Sequence, residues 1–147
     1  MVGLRTFSKA YGLAGLRIGY GLMPPFLTDL LNRVRQPFNV NSLALAGALA
    51  AHEDEKFLAK TVALVHDELD FLYAGLDRLA IEYLESQANF LLIRVEKSAD
   101  KVFEELLKQG VIVRSMTSYG YSDCIRVTVG RRHENVRLLE ALEAVLK

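Results

Sequence analysis

With 147 residues the chain can bury one substantial core, and 51% hydrophobic against 24% charged residues excludes a disordered polyelectrolyte. Lys plus Arg and Asp plus Glu stand at 18 each, which removes the electrostatic reason to expect nucleic acid or an acidic membrane surface as partner. The lone Cys124 cannot form an internal disulfide, no apolar stretch approaches the ~20 residues of a membrane span, and no basic-then-apolar leader opens the chain, so the expectation is a soluble cytoplasmic protein.

In chain order, residues 1–7 read as the end of a strand, and 17–23 as a second short strand stopped by Pro24-Pro25. Leu27, Leu30, Leu31 and Val34 then fall at helical spacing until Pro37. The run S-L-A-L-A-G-A-L-A-A from Ser42 is apolar on nearly every helical face, which predicts burial on all sides. From Asp54 to about Leu79 a longer amphipathic helix carries Phe57, Leu58, Val62, Val65, Leu69, Leu72 and Leu76. A strand follows at 90–95, a helix at 98–109 closed by Gly110, strands at 111–114 and 124–129, and a helix from about His133 to Leu146. The order is mixed α/β, without internal repeats. His52, His66 and His133 lack metal-ligand spacing, so no metal site is expected.

The first strand lacks neighbours in sequence before it, which suggests the C-terminal part of something longer. It also leads at once into R-T-F-S-K-A-Y-G-L-A-G-L-R-I-G-Y-G, residues 5–21, where Lys9 stands among small residues. A lysine amine attacks carbonyl carbon in its neutral form, which burial or a neighbouring positive charge favours, and Arg17 is such a charge. Thr6 and Ser8 offer hydroxyls, the glycines allow backbone amides to approach, and a guanidinium grips phosphate in a bidentate manner. These are the parts of a site for a phosphorylated aldehyde cofactor. On the residues alone, a glycine-rich turn with a solvated lysine stays open.

The stretch T-F-S-K-A-Y-G-L-A-G-L-R-I-G-Y resembles the cofactor-lysine signature of the class I and II, fold-type I pyridoxal phosphate-dependent aminotransferases. The resemblance implies that Lys9 holds pyridoxal 5'-phosphate as a Schiff base and shuttles a proton, while Thr6, Ser8 and Arg17 bind the cofactor phosphate. C-I-R-V-T-V-G at 124–130 is similar to the family's C-terminal arginine strand, in which Arg126 would grip the substrate's anionic group. The stretch G-V-I-V-R-S-M at 110–116, followed by S-Y-G-Y-S-D-C-I-R, resembles the histidinol-phosphate aminotransferase branch. There Arg114 and Arg126 together would suit a phosphate dianion, and glutamate or 2-oxoglutarate would use Arg126. Asn89 would line the substrate mouth, although an asparagine before a strand is also an ordinary turn residue. The loop R-Q-P-F-N-V-N-S at 35–42 resembles one near the family's dimer interface, with Asn39 and Asn41 as polar contacts or simply as helix caps.

By this resemblance the chain has an α/β fold, the C-terminal part of the fold-type I PLP-dependent transferase fold. Residues 1–53 would be the edge of the large cofactor domain and 54–147 the small α+β domain, in a full-length homodimer acting on small-molecule substrates. The family's ring-stacking residue, its ring-nitrogen Asp and the Asn and Tyr at the ring oxygen precede the lysine and are not in this chain. A threonine-phosphate decarboxylase, an aromatic or broad-range aminotransferase, and the aminotransferase-like half of a transcription regulator remain as alternatives.

Overall fold

A computed structural model describes residues 1–147. The chain divides into two compact units, Met1–Val62 and Ala63–Lys147. The division falls inside a helix.

In the first unit, β1 (Gly3–Thr6) pairs antiparallel with β2 (Gly19–Leu22), Thr6 standing opposite Gly19. Position 19 has to be glycine, because a Cβ there would lie 2.6 Å from the Arg5 carbonyl oxygen. Pro24 and Pro25 end β2 and open α1 (Pro25–Val34), where a missing N–H costs nothing at the first helical position. α2 (Ser42–Glu53) is capped by Asn41, whose Oδ1 accepts from the Ala44 N–H at 2.8 Å. A small core joins Phe7, Ile18, Ala44 and Ala48, with Tyr11, Leu13, Leu16 and Val40 around it.

The burial expected for α2 on all sides is not found. Leu43, Leu45 and Leu49 are 76%, 57% and 64% exposed, and only Ala44 and Ala48 are buried. Within this unit the helix meets the 7–18 loop along a single line of small residues. An all-round apolar helix demands cover, and its sequence does not say which segment supplies it.

α3 (Glu55–Leu79) starts at Asp54, whose Oδ1 accepts from the Phe57 N–H at 3.0 Å, and continues into the second unit. That unit holds a four-stranded antiparallel sheet of order β3-β4-β6-β5, formed by Tyr83–Leu84, Phe90–Arg94, Cys124–Thr128 and Arg114–Ser115. Two further helices, α4 (Ala99–Lys108) and α5 (Arg132–Leu146), complete it. Strand alternation turns Leu91, Ile93, Ile125 and Val127 to one face, in one core with Leu72, Leu76, Leu106 and Leu142. The buried carboxylate of Glu68 in this unit is compensated. Arg132 Nε lies 2.9 Å from its Oε1 and Asn135 Nδ2 donates to its Oε2 at 2.8 Å. Asn135 also brackets the Gly130 peptide, accepting from its N–H and donating to its carbonyl at 3.0 Å each, which sets the turn from β6 into α5.

The strand expected over 111–114 is paired only at Arg114–Ser115. Val113 is buried and Val111 packs on the core, so the alternation there serves packing without a ladder. The two-residue β3 carries no sequence signal long enough to read.

The core placement has a measurable consequence. Leu76→Ala, at a fully buried position, should destabilise the second unit by about 2–5 kcal/mol in urea unfolding. Leu30→Ala, at a half-exposed position on α1, should change stability by no more than about 0.5 kcal/mol.

Candidate active site

The 5–21 segment contains no Asp or Glu, so its charged side chains are all cationic. Its loop, residues 7–18, is closed at the base by Phe7 N–H to Ile18 O at 3.2 Å and folded back by Leu13 N–H to Phe7 O at 3.0 Å. The Phe7 ring, 4.7 Å from Tyr11 and 5.9 Å from Tyr20, anchors it in the small core. Within the loop the Lys9 carbonyl accepts from the Gly12 N–H at 2.9 Å, and glycine suits the left-handed φ of 70° at position 12.

The four polar residues picked from the sequence all sit on or beside this loop. Thr6 Oγ1 accepts from the Ser8 N–H at 3.0 Å, which leaves the Thr6 hydroxyl proton free to donate. Lys9 is exposed, and its ammonium makes no ion pair or hydrogen bond. Arg17 adopts φ 53° and ψ 50°, a left-handed conformation for a non-glycine residue, and its Nη1 donates to Ala14 O at 2.7 Å. Such a backbone costs on the order of 1 kcal/mol and persists where the surroundings over-determine it, commonly at ligand sites. Two hydroxyls, a guanidinium with spare N–H groups and an unpaired amine form a donor set that fits a phosphorylated aldehyde.

The second unit carries the other three. Leu92 and Arg126 are register partners across β4 and β6, and Arg126 and Arg114 across β6 and β5. The two arginines therefore project from adjacent strands on the face opposite the core. Neither forms an ion pair. The Arg126 guanidinium lies 5.1 Å from the Phe90 ring centroid and that of Arg114 lies 5.7 Å from Tyr119. On the same face Arg94 is engaged by Glu82 at 3.0 Å and Asp123 at 3.1 Å, and these carboxylates, Glu82 foremost, push its pKa up. Asn89 sits just before Phe90, where its carbonyl accepts from the Val129 N–H at 2.9 Å. Like charges in direct register destabilise a sheet, and no carboxylate of the protein neutralises the couple Arg114 and Arg126.

The sequence did not single out Phe90 and Tyr119. Their contacts depend on which strand residues lie diagonal to the arginines, and that follows from register. Asn39 accepts from Arg35 Nη1 at 3.0 Å and Asn41 caps α2, so both have partners inside the first unit.

The family model described as aminotransferase class I and II matches residues 1–144. The chain is 53% identical to histidinol-phosphate aminotransferase 1 of Nitrosococcus oceani, over 97% of this chain and 39% of that protein. Among solved structures it is similar to histidinol-phosphate aminotransferase from Sinorhizobium meliloti in complex with pyridoxal-5'-phosphate, with a TM-score of 0.88 and 28% identity over 99% of this chain and 41% of that one. It is also similar to L-threonine-O-3-phosphate decarboxylase from Porphyromonas gingivalis, with a TM-score of 0.85 and 26% identity over 99% and 46% of the two chains. The chain thus spans about two fifths of the length of the curated relatives it matches.

Two substitutions test the loop geometry. Gly19→Ala should force β1 and β2 apart and speed hydrogen exchange at the Phe7 and Leu13 amides. Arg17→Ala, which keeps the left-handed backbone strain and loses the Nη1 bond to Ala14 O, should speed that exchange, destabilising the loop by about 0.5–1.5 kcal/mol.

Proposed function

The chain belongs to the class I and II aminotransferase family, and on that premise we propose that it is the C-terminal portion of a histidinol-phosphate aminotransferase. The reaction would be amino transfer between histidinol phosphate and 2-oxoglutarate, in histidine biosynthesis. Residues 1–53 would form the edge of the large cofactor domain and 54–147 the small domain of a cytoplasmic homodimer. No helix is long and apolar enough to cross a membrane. The observation that carries the substrate reading is the register pairing of Arg114 with Arg126 on a face where neither meets a carboxylate.

Lys9 would hold pyridoxal 5'-phosphate covalently through its amine, and Thr6, Ser8 and Arg17 would bind the phosphate. When bound, the cofactor supplies an electron-withdrawing ring that stabilises negative charge at the substrate's α-carbon. The Lys9 amine would move the proton at that carbon. Arg126 and Arg114 would clamp a phosphate ester between two guanidiniums, and Arg126 would grip the α-carboxylate of glutamate. Asn89 would contribute a polar group at the mouth of the substrate site. A phosphothreonine decarboxylase is the second reading, since paired arginines serve any phosphomonoester and such an enzyme is among the structural relatives. Release of carbon dioxide, absent in amino transfer, separates the two.

Borohydride reduction of the complete enzyme with cofactor should fix a pyridoxyl group on the Lys9 peptide, read by mass spectrometry. Label on Lys56 or Lys60 with Lys9 unmodified would remove the assignment.

Loss of the arginines should be unequal. Arg114→Ala should lower kcat/KM for histidinol phosphate far more than for glutamate, and Arg126→Ala should lower both. Charge-assisted contacts contribute roughly 1.5 to 3 kcal/mol, so ten- to a hundred-fold changes are the expected scale. Equal losses for both substrates in Arg114→Ala would make Arg114 a strand-end residue without a substrate role.

A further inference from the structure

Arg114 occupies a poor position for a residue that must hold its place. β5 is two residues long and stands at the edge of the sheet, where ladder hydrogen bonds fray most easily. Its register partner is Arg126, of the same charge, so electrostatic repulsion pushes β5 away from β6. An edge strand under that load needs a restraint beyond its ladder.

Ser115 supplies one. Alternation turns its side chain to the face opposite Arg114, and its Oγ donates to Asp100 Oδ1 at 2.5 Å. The same oxygen lies 3.0 Å from Thr117 Oγ1 and accepts from the Thr117 N–H at 3.3 Å, opening the short turn Thr117–Tyr119. That turn ends at Gly120, with φ 88°, and brings the Tyr119 ring under the Arg114 guanidinium. Asp100 lies in the first turn of α4, flanked by Ala99 and Val102, both in the core. A chain of contacts therefore runs from a core-anchored helix, through Asp100 and Ser115, to the backbone that carries Arg114. Asp100 makes no ion pair with either arginine, so it restrains β5 without neutralising the anion site. Arg94, on the same face, is held by carboxylates that occupy its charge.

We propose that Ser115, tethered to Asp100, is a positioning residue that keeps Arg114 beside Arg126 and so sets the preference for a phosphomonoester substrate. The proposal deepens the substrate reading given above and rests on it.

The test uses Ser115→Val and Ser115→Thr in the complete enzyme, two side chains of nearly equal shape of which only threonine keeps the hydroxyl. Ser115→Val should raise KM for histidinol phosphate about tenfold, the scale of one charge-assisted hydrogen bond, with kcat and the KM for glutamate changed less than about twofold. Ser115→Thr should restore the parent value, and Asp100→Ala should reproduce the Val phenotype. In the 147-residue chain, 15N resonances of the Arg114 side chain should broaden or shift in Ser115→Val and not in Ser115→Thr. Unchanged KM for histidinol phosphate in Ser115→Val, while Arg114→Ala raises it, would overturn the tether. Equal rises for both substrates with a lowered Tm would also overturn it, by reducing Ser115 to a structural role. If Arg114→Ala itself leaves histidinol phosphate unaffected, the substrate reading fails first and the tether falls with it.

Discussion

The antiparallel register of β4 against β6 is the constraint on which the second unit depends. With Ile93 opposite Ile125 and Leu91 opposite Val127, the apolar set of both strands faces the helices. The same register leaves Leu92 and Arg126 on the other face, and the pairing of β5 adds Arg114 beside Arg126. A slip of one residue would drive the arginine into the core and Ile125 into solvent, so burial enforces the placement of the charged pair. The bracket of Asn135 around Gly130, itself held by Glu68, stops β6 a few residues beyond Arg126 and starts α5.

The first unit rests on a smaller version of the same logic. Its pairing of β1 with β2 has room for no side chain at Gly19, and the loop between them closes through backbone bonds rather than a large core. The left-handed backbone at Arg17 is tolerated because Phe7 and Ile18, buried on either side, hold the loop's two ends together. Polar groups of one sign are thereby gathered with no carboxylate to quench them. That arrangement is unfavourable for stability alone and suits the binding of a phosphate.

The two units differ in how completely they bury their apolar residues. In the second, large side chains from three helices and the sheet share one core. In the first, Phe26, Leu30, Leu31 and Val34 on α1, along with the leucines of α2, stand exposed. Apolar surface of that extent is characteristic of interfaces. It accords with the proposal that this chain is the C-terminal portion of a larger, dimeric enzyme.

Much of this was legible in the sequence. Resemblance to the aminotransferase family singled out Lys9, Arg17, Arg114 and Arg126, while helices α1, α3, α4 and α5 followed from apolar spacing and end signals such as Pro24-Pro25 and Gly110. Local signals of this kind act within a few residues, where propensity and periodicity are decided. The exposure of α2, the reduction of the 111–114 segment to two paired residues, and the division of the chain inside α3 were settled only by packing. The same holds for the sites. Sequence identified the arginines, but only strand register makes Arg114 and Arg126 neighbours and brings Phe90 and Tyr119 to their guanidiniums. Register is fixed by contacts between residues far apart in the chain, and those contacts exist only once the sheet has formed.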